Sequence, residues 1–322
     1  MINKNQPMVT VVFTSYNHQE YLKQALDSIV NQTYPNLEII VVDDNSSDGS
    51  QQILRTYADN PRVSLHLLEK NTGSYVKASN YGAKFAKGEY LLFAQCDDHA
   101  DPQQITKLVS SLSSDNSVGV AFSKSTLIDK DGLVYDDDFR GRELKFKKRC
   151  AVDTVITGDE MRRFLSYSCV IPNLSAAIIK KELYLKVGKL SEDYLVAADW
   201  AFWLALAEET NFYYLTTALN NFRQHETTIR SKIKIERQIV EIYSLFYAHI
   251  LKYHLPFSKS IRLRCGAGLV WFSFMIENFG AGIKSFPAVL KQTFRLELLN
   301  LIFLGAGAVI FTADYFGRKI IK

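Results

Sequence analysis

Two short apolar runs, MVTVVFT (8–14) and EIIVVD (38–43), restrict the fold of this chain more than any other feature. They are rich in β-branched residues and lack polar alternation, the pattern of strands buried on both faces. Between them, Tyr21, Leu22, Ala25, Leu26, Ile29 and Val30 recur at helical spacing, and the segment closes on Asn-Gln-Thr-Tyr-Pro. This is a βαβ unit, whose crossover makes the strands parallel. The pattern continues with VSLHLL (63–68), a helix expected from about Ser74 to Ala86 and ended by Gly88, and YLLFAQC (90–96). A further helix opens at Asp101-Pro102. The first half therefore reads as an α/β domain built on a parallel sheet.

In an open parallel sheet, ligands bind beyond the carboxyl ends of the strands. Three such ends carry unusual polarity here: Thr14-Ser15-Tyr16-Asn17, Asp43-Asp44-Asn45 and Asp97-Asp98. Each alone would serve as a turn or a helix cap. Several carboxylates on one sheet edge repel one another unless a cation or a donor-rich ligand compensates them.

Charge is unevenly spread. Residues 1–229 carry 24 Lys or Arg against 29 Asp or Glu, a net −5, whereas residues 230–322 carry 14 against 5, a net +9. A basic region suits an anionic lipid, a nucleic acid or an acidic substrate, and equally a solvated helical face. No recognisable nucleic-acid module accompanies it, which argues against that partner. This region reads as helices, KIERQIVEIYSLFYAHI and then IRLRCGAGLVWFSFMIENF. They suit equally an interfacial appendage, a bundle packed on the first domain, or a homo-oligomer interface. The apolar stretch 298–311 is shorter than the roughly 20 residues of a membrane span and reads as a buried or interfacial helix. Cys96, Cys150, Cys169 and Cys265 form no C-x-x-C pair, and the N-terminus lacks the apolar core of a secretion signal. The expectation is a cytoplasmic protein with reduced thiols, peripheral to the membrane at most.

The ordered motifs VTVVFTSYN, LEIIVVDDNSSDGS and NTGSYVKASNYGAKFAKGEYLLFAQCDD resemble family 2 glycosyltransferases of the GT-A fold, and their opening stretches are similar to spore-coat polysaccharide enzymes. The resemblance covers roughly residues 8–230. It implies a mixed, mostly parallel sheet flanked by helices over 1–230, with a nucleotide-sugar half to about 125 and an acceptor half from about 126. Residues 231–322 then form a helical C-terminal region. By the same resemblance Thr14, Tyr16 and Asp44 hold the nucleotide base, Asn80 lies in the family's N-x-G step with Gly82, and Asp97 meets the ribose. Asp98 would bind a divalent cation, Mn or Mg, with His225 of FRQHETT as a second ligand, while His99 is expected to be a loop residue. Three departures are visible: Gln95 stands where many members have the first acid of the motif, Ser79 where many have Arg, and Ala198 where members often have Glu before Asp199.

Sugar transfer also needs a base to take a proton from the acceptor hydroxyl. The resemblance gives this role to Asp199, which opens the aromatic segment ADWAFWLALAEE, ahead of its competitor Asp193. A plain helix cap is the alternative reading of Asp199. An Asp base opposite a cation-bound leaving group implies single displacement with inversion. The long charged segment 128–152, opening with the turn signal Asp-Lys-Asp-Gly, is either a loop over the site or a hairpin, and CVIPNLSAAIIKKELY (169–184) resembles the family strand beneath the acceptor, which implies that Pro172 and Asn173 line it. The implied substrates are a nucleotide-diphosphate sugar, with a UDP-sugar favoured, and a saccharide or lipid-linked saccharide acceptor. The rivals are a sugar nucleotidyltransferase, whose Gly-rich basic loop is missing after the first strand, and a non-catalytic sugar- or lipid-binding protein on the same scaffold.

Overall fold

In the computed structural model, which describes residues 6–137, 144–226, 233–294 and 301–310, the first apolar run forms β1 (Val9–Ser15), buried throughout. Helix α1 (Gln19–Val30) turns Tyr21, Leu22, Ala25, Leu26 and Ile29 inward, as the spacing requires. Strand β2 (Leu37–Asp43) pairs parallel with β1, from Val9 opposite Leu37 to Ser15 opposite Asp43. After α2 (Ser50–Arg55), β3 (Val63–Leu67) extends the sheet parallel to β2.

Helix α3 (Tyr75–Ala83) starts where expected, because Ser74 accepts a hydrogen bond from the Val76 N–H as its cap. It stops three residues short of the expected Ala86. Gly88 is not its cap: a Cβ there would sit 2.6 Å from the Thr10 backbone nitrogen, so glycine is needed for close approach to β1. Strand β4 (Tyr90–Gln95) then pairs parallel with the free edge of β1. The order β3-β2-β1-β4 thus brings the Ser15, Asp43 and Gln95 ends to one side.

The sheet continues beyond what periodicity alone revealed. His99 is not a loop residue: His99–Ala100 form a two-residue strand, β5, whose partners are Asn220 and Asn221. After α4 (Gln104–Ser114) comes the long β6 (Val118–Ile128), followed by β7 (Val134–Asp137), α5 (Leu144–Arg149), β8 (Thr154–Ile156) and α6 (Gly158–Leu165). The Asp129–Gly132 turn signal opens a hairpin between β6 and β7: Asp129 accepts from the Asp131 and Leu133 N–H groups, and Gly132 takes φ +83°. Residues 138–143 of the charged segment lie outside the described residues. Strand β9 (Ala177–Lys180), α7 (Lys181–Lys186), α8 (Ala198–Ala207) and β10 (Asn211–Arg223) complete the set.

The ten-stranded sheet runs β3-β2-β1-β4-β9-β6-β10-β5, with β7 on β6 and β8 on β10. It is mixed. Strand β9 lies antiparallel between β4 and β6, while β6 and β10 form a ten-pair parallel ladder. One face packs Val11, Phe13, Ile39 and Val41 against Leu22 and Leu26 of α1 and Leu108 of α4. On the other, Ile40 and Val42 meet Ala78 of α3.

The chain divides into two compact units, Met1–Met161 with Val170–His225, and Arg162–Cys169 with Glu226–Lys322. The second contains α9 (Ile235–Lys252), α10 (Phe257–Glu277) and α11 (Phe279–Phe294), and residues 301–310 are also helical. Tyr243 of α9 bonds Thr293 of α11 at 2.7 Å, and any side chain at Gly266 would overlap the Ser166 carbonyl. No helix among the described residues is long and apolar enough to cross a membrane. Residues 298–300 and 311 of the terminal apolar stretch lie outside the description.

Candidate active site

The ends of β1 and β2 are locked together. The Asp44 N–H donates to the Ser15 carbonyl at 2.9 Å, and Asn17, at φ +50°, turns the chain sharply toward α1. Asn17 also exchanges hydrogen bonds with Ser46 and Ser47 of the facing loop. Asp43 is consumed by that loop, accepting from the Ser46 N–H and hydroxyl and from Gln51. Asp44 accepts from the Thr72 N–H at 2.7 Å and the Thr72 hydroxyl at 2.9 Å, one bond on each oxygen. Both oxygens keep acceptor capacity. Thr14 is buried, and its hydroxyl has no hydrogen-bond partner among the described residues. Tyr16 beside it is 42% exposed.

At the end of β4 the two adjacent acids meet opposite surroundings, because side chains alternate along extended backbone. Asp98, expected at the cation, points into the protein and is 4% exposed. Its Oδ2 accepts from Asn173 at 2.6 Å and Ser175 at 2.7 Å, and its Oδ1 accepts from the Arg223 N–H at 3.1 Å. Burial, with the charge of Asp97 beside it, pushes its carboxyl well above the usual carboxylate range. The structure therefore does not bring Asp98 to the cation cluster.

Asp97 turns outward, and its Oδ2 lies 3.1 Å from His225 Nε2. His18 completes the group: ligand atoms of His18, Asp97 and His225 all lie within 4.8 Å of one another. His18 sits at the N-terminal boundary of α1, with its ring 5.1 Å from that of His225 in an edge-to-face arrangement and Nδ1 3.5 Å from Cys96 Sγ. Ligand atoms about 2.1 Å from one ion stand about 3.0–3.4 Å apart at octahedral or tetrahedral angles, so the set would contract somewhat around a cation. One carboxylate and two imidazoles fit a divalent transition ion better than an all-oxygen site would.

Arg223 binds this corner together, and motif reasoning overlooked it. It donates to the Asp97 carbonyl at 2.9 Å, to the Asp129 and Lys130 carbonyls and to Gln24, while its guanidinium lies 4.6 Å from the Tyr21 ring centroid. The R-x-H pattern, Arg223 to His225, was the available signal. For His18 the signal was weaker, a histidine between the first strand and its helix in SYNHQEYL.

Other expected site residues fall elsewhere. Asn80 donates to the Leu190 carbonyl at 2.9 Å and to Glu192, and accepts from the Tyr184 hydroxyl at 2.8 Å. Its amide thus braces the 190–192 segment. Asn173 is 7% exposed and spends its side chain on Asp98 and the Ala176 N–H. Asp199 lies in the first turn of α8, half-buried, where it accepts from the Trp200 N–H. Burial, and secondarily the charge of Arg223, holds His99 below the usual imidazole range.

A parallel β3-β2-β1-β4 leaf, with polar strand ends and a His-Asp-His cluster beyond β4, defines a GT-A type domain. Solved structures share it. S. aureus TarS 1–349, crystallised with UDP-GlcNAc, superposes with a TM-score of 0.70 at 18% identity, covering 98% of this chain and 92% of that one. The mannosyltransferase PcManGT of Pyrobaculum calidifontis, solved with GDP-Man and Mn2+, gives 0.55 at 20% identity, covering 97% and 88%. Residues 10–167 match the model of glycosyl transferase family 2. An uncharacterized glycosyltransferase of Rickettsia typhi is 28% identical over 72% of this chain and 65% of its own length. The putative teichuronic acid biosynthesis glycosyltransferase TuaG of Bacillus subtilis is 32% identical over 41% of this chain and 52% of its own. The matches thus span less than two thirds of each relative.

Proposed function

We propose that this chain is a glycosyltransferase that moves a sugar from a nucleotide-diphosphate sugar to an acceptor hydroxyl, with inversion, in cell-surface polysaccharide or glycolipid assembly. The observation that carries the reading is the gathering of His18, Asp97 and His225 beyond β4, beside the ends of β1 and β2. The UDP-GlcNAc on TarS and the GDP-Man and Mn2+ on PcManGT support a nucleotide sugar and a divalent ion here, and the name of TuaG supports polysaccharide assembly.

In this reading the unpartnered Thr14 hydroxyl, Tyr16 and the spare acceptor capacity of Asp44 take the nucleotide base. A carboxylate accepting from a base N–H favours uridine. Asp97 and His225, with His18, hold the cation; Asp98 buttresses them from behind. A divalent ion bound there would stabilise the negative charge that grows on the departing diphosphate. Asp199 takes the acceptor's proton, and the hydroxyl oxygen attacks the anomeric carbon as its bond to the diphosphate breaks. The displacement occurs on the face opposite the leaving group, so configuration inverts. The acceptor is a saccharide or a lipid-linked saccharide, the latter placing the chain peripherally at a membrane.

Thermal melting against a panel of nucleotide sugars, with and without Mn2+, should raise the transition for one donor in a cation-dependent manner. NMR of the product from an α-linked donor should then show a β linkage. A retained α linkage would overturn the single displacement.

A further inference from the structure

We infer that helix α11 docks on an anionic lipid surface, with its aromatic stripe at the headgroup boundary and its lysines on the phosphates. This deepens the peripheral membrane contact in the reading above, although it rests on residues of the second unit alone. A helix on a globular unit ordinarily buries its large apolar side chains. Helix α11 does the reverse. Its buried positions are Gly282, Ser285, Val289 and Thr293, mostly small or hydroxyl-bearing. Gly282 is there because a Cβ would lie 2.9 Å from the Met275 backbone, and the Ser285 and Thr293 hydroxyls donate to carbonyls of α11 itself. Its large residues lean out: Phe279 is 67% exposed, Ile283 50% and Phe294 50%, while Phe286, 38% exposed, stacks one side of its ring on Trp271 of α10.

These four fall at i, i+4, i+7 and i+15, which places them on one stripe. Exposed apolar residues are ordinary when scattered, but a continuous row on one helix marks a contact surface. Charge selects the partner. Residues 257–294 carry five Lys or Arg, of which Arg264 is buried, against Glu277 alone, and α11 has no acid. Lys284 and Lys291, seven residues apart, run beside the stripe on the side away from the buried face. The Lys284 side chain is 74% exposed and only loosely tied, 3.8 Å from Glu236. A second copy packed symmetrically on this face would bring like-charged lysine rows together, whereas lipid phosphates neutralise them while the long side chains reach past the stripe.

Depth follows from Pro287, which lies inside α11. Without an N–H it leaves the Ile283 carbonyl no helical donor. That is costly in hydrocarbon but readily met by water among headgroups. The 16 residues, about 24 Å long, therefore lie along the surface.

The test is co-sedimentation of the full chain with vesicles of phosphatidylcholine and phosphatidylglycerol (1:1) and of phosphatidylcholine alone. Binding should favour the anionic vesicles by at least tenfold. Phe279→Gln with Ile283→Gln should lower it a further tenfold or more. Lys284→Gln and Lys291→Gln should each lower binding about fivefold on anionic vesicles alone. Unaltered melting temperatures for all four substitutions keep a loss of binding from being a loss of fold. Equal binding to both vesicles, or variants that bind like the parent, would overturn the inference. So would a dimer at micromolar concentration that Phe279→Gln with Ile283→Gln dissociates, since the stripe would then be an interface between copies. If vesicle binding follows the expected pattern while no nucleotide sugar shifts the melting transition, the catalytic reading fails and this one stands.

Discussion

Removing the Asp98 carboxylate would leave the Asn173 amide, the Ser175 hydroxyl and the Arg223 N–H without their acceptor in a buried corner. Each orphaned group costs at least about 1 kcal/mol, so Asp98→Ala should lose about 3 kcal/mol or more in urea unfolding. Asp97 is half-buried and bonds His225 through its Oδ2, a single partner against the three of Asp98, so Asp97→Ala should cost less stability than Asp98→Ala while losing Mn2+-dependent stabilisation. Should Asp98→Ala instead keep full stability and lose only the metal response, the division of labour between these acids is reversed. Two imidazoles in the cluster also make a prediction about the ion. Calorimetric titration should find Mn2+ bound more tightly than Mg2+, which prefers oxygen, and His18→Gln should narrow the gap. Titrations indistinguishable from the parent would take His18 out of the site.

Two helices permit a sharper separation of roles. At the start of α8, Asp199→Asn preserves the shape of the first turn but cannot accept a proton. Donor-induced thermal stabilisation should persist while transfer falls by about 10²–10⁴, the range of general base catalysis. Unchanged turnover would leave Asp199 as a cap. On α3, Asn80 braces the 190–192 segment through Leu190 and Glu192. Asn80→Ala should cost about 1–3 kcal/mol, since the Tyr184 hydroxyl and the Leu190 carbonyl lose buried partners, yet leave nucleotide affinity in place. A selective loss of nucleotide binding would instead put Asn80 at the donor. The helices were legible at this scale because α1 shows its buried stripe in its spacing. The two-residue β5 was not, since its pairing with Asn220 and Asn221 comes from more than 100 residues away.

For the whole molecule, the two compact units predict a divided response to ligand. Hydrogen exchange with and without Mn2+ and the best donor should show new protection at residues 14–18, 44, 72 and 95–98, all in the first unit. Residues 235–294 should exchange as before. The reversed face of α11 was invisible in composition, because a helix with Phe, Ile and Val reads as amphipathic whichever side is turned in. Only the packing of Gly282, Ser285, Val289 and Thr293 revealed which side that is.

The sequence by itself determined the βαβ leaf, the polar strand ends and the resemblance to family 2 glycosyltransferases, since strand burial, helix spacing and ordered motifs are local patterns in the chain. Which of two adjacent acids faces outward, which histidines join it, and that Arg223 ties the corner were decided by tertiary structure alone. Those choices depend on the strand register at residues 95–98 and on the return of β10 to the same edge, where Arg223 and His225 meet residues 97 and 98. Contacts so distant in sequence leave no periodic trace, whereas the free energy of burying or exposing each carboxylate depends on them entirely.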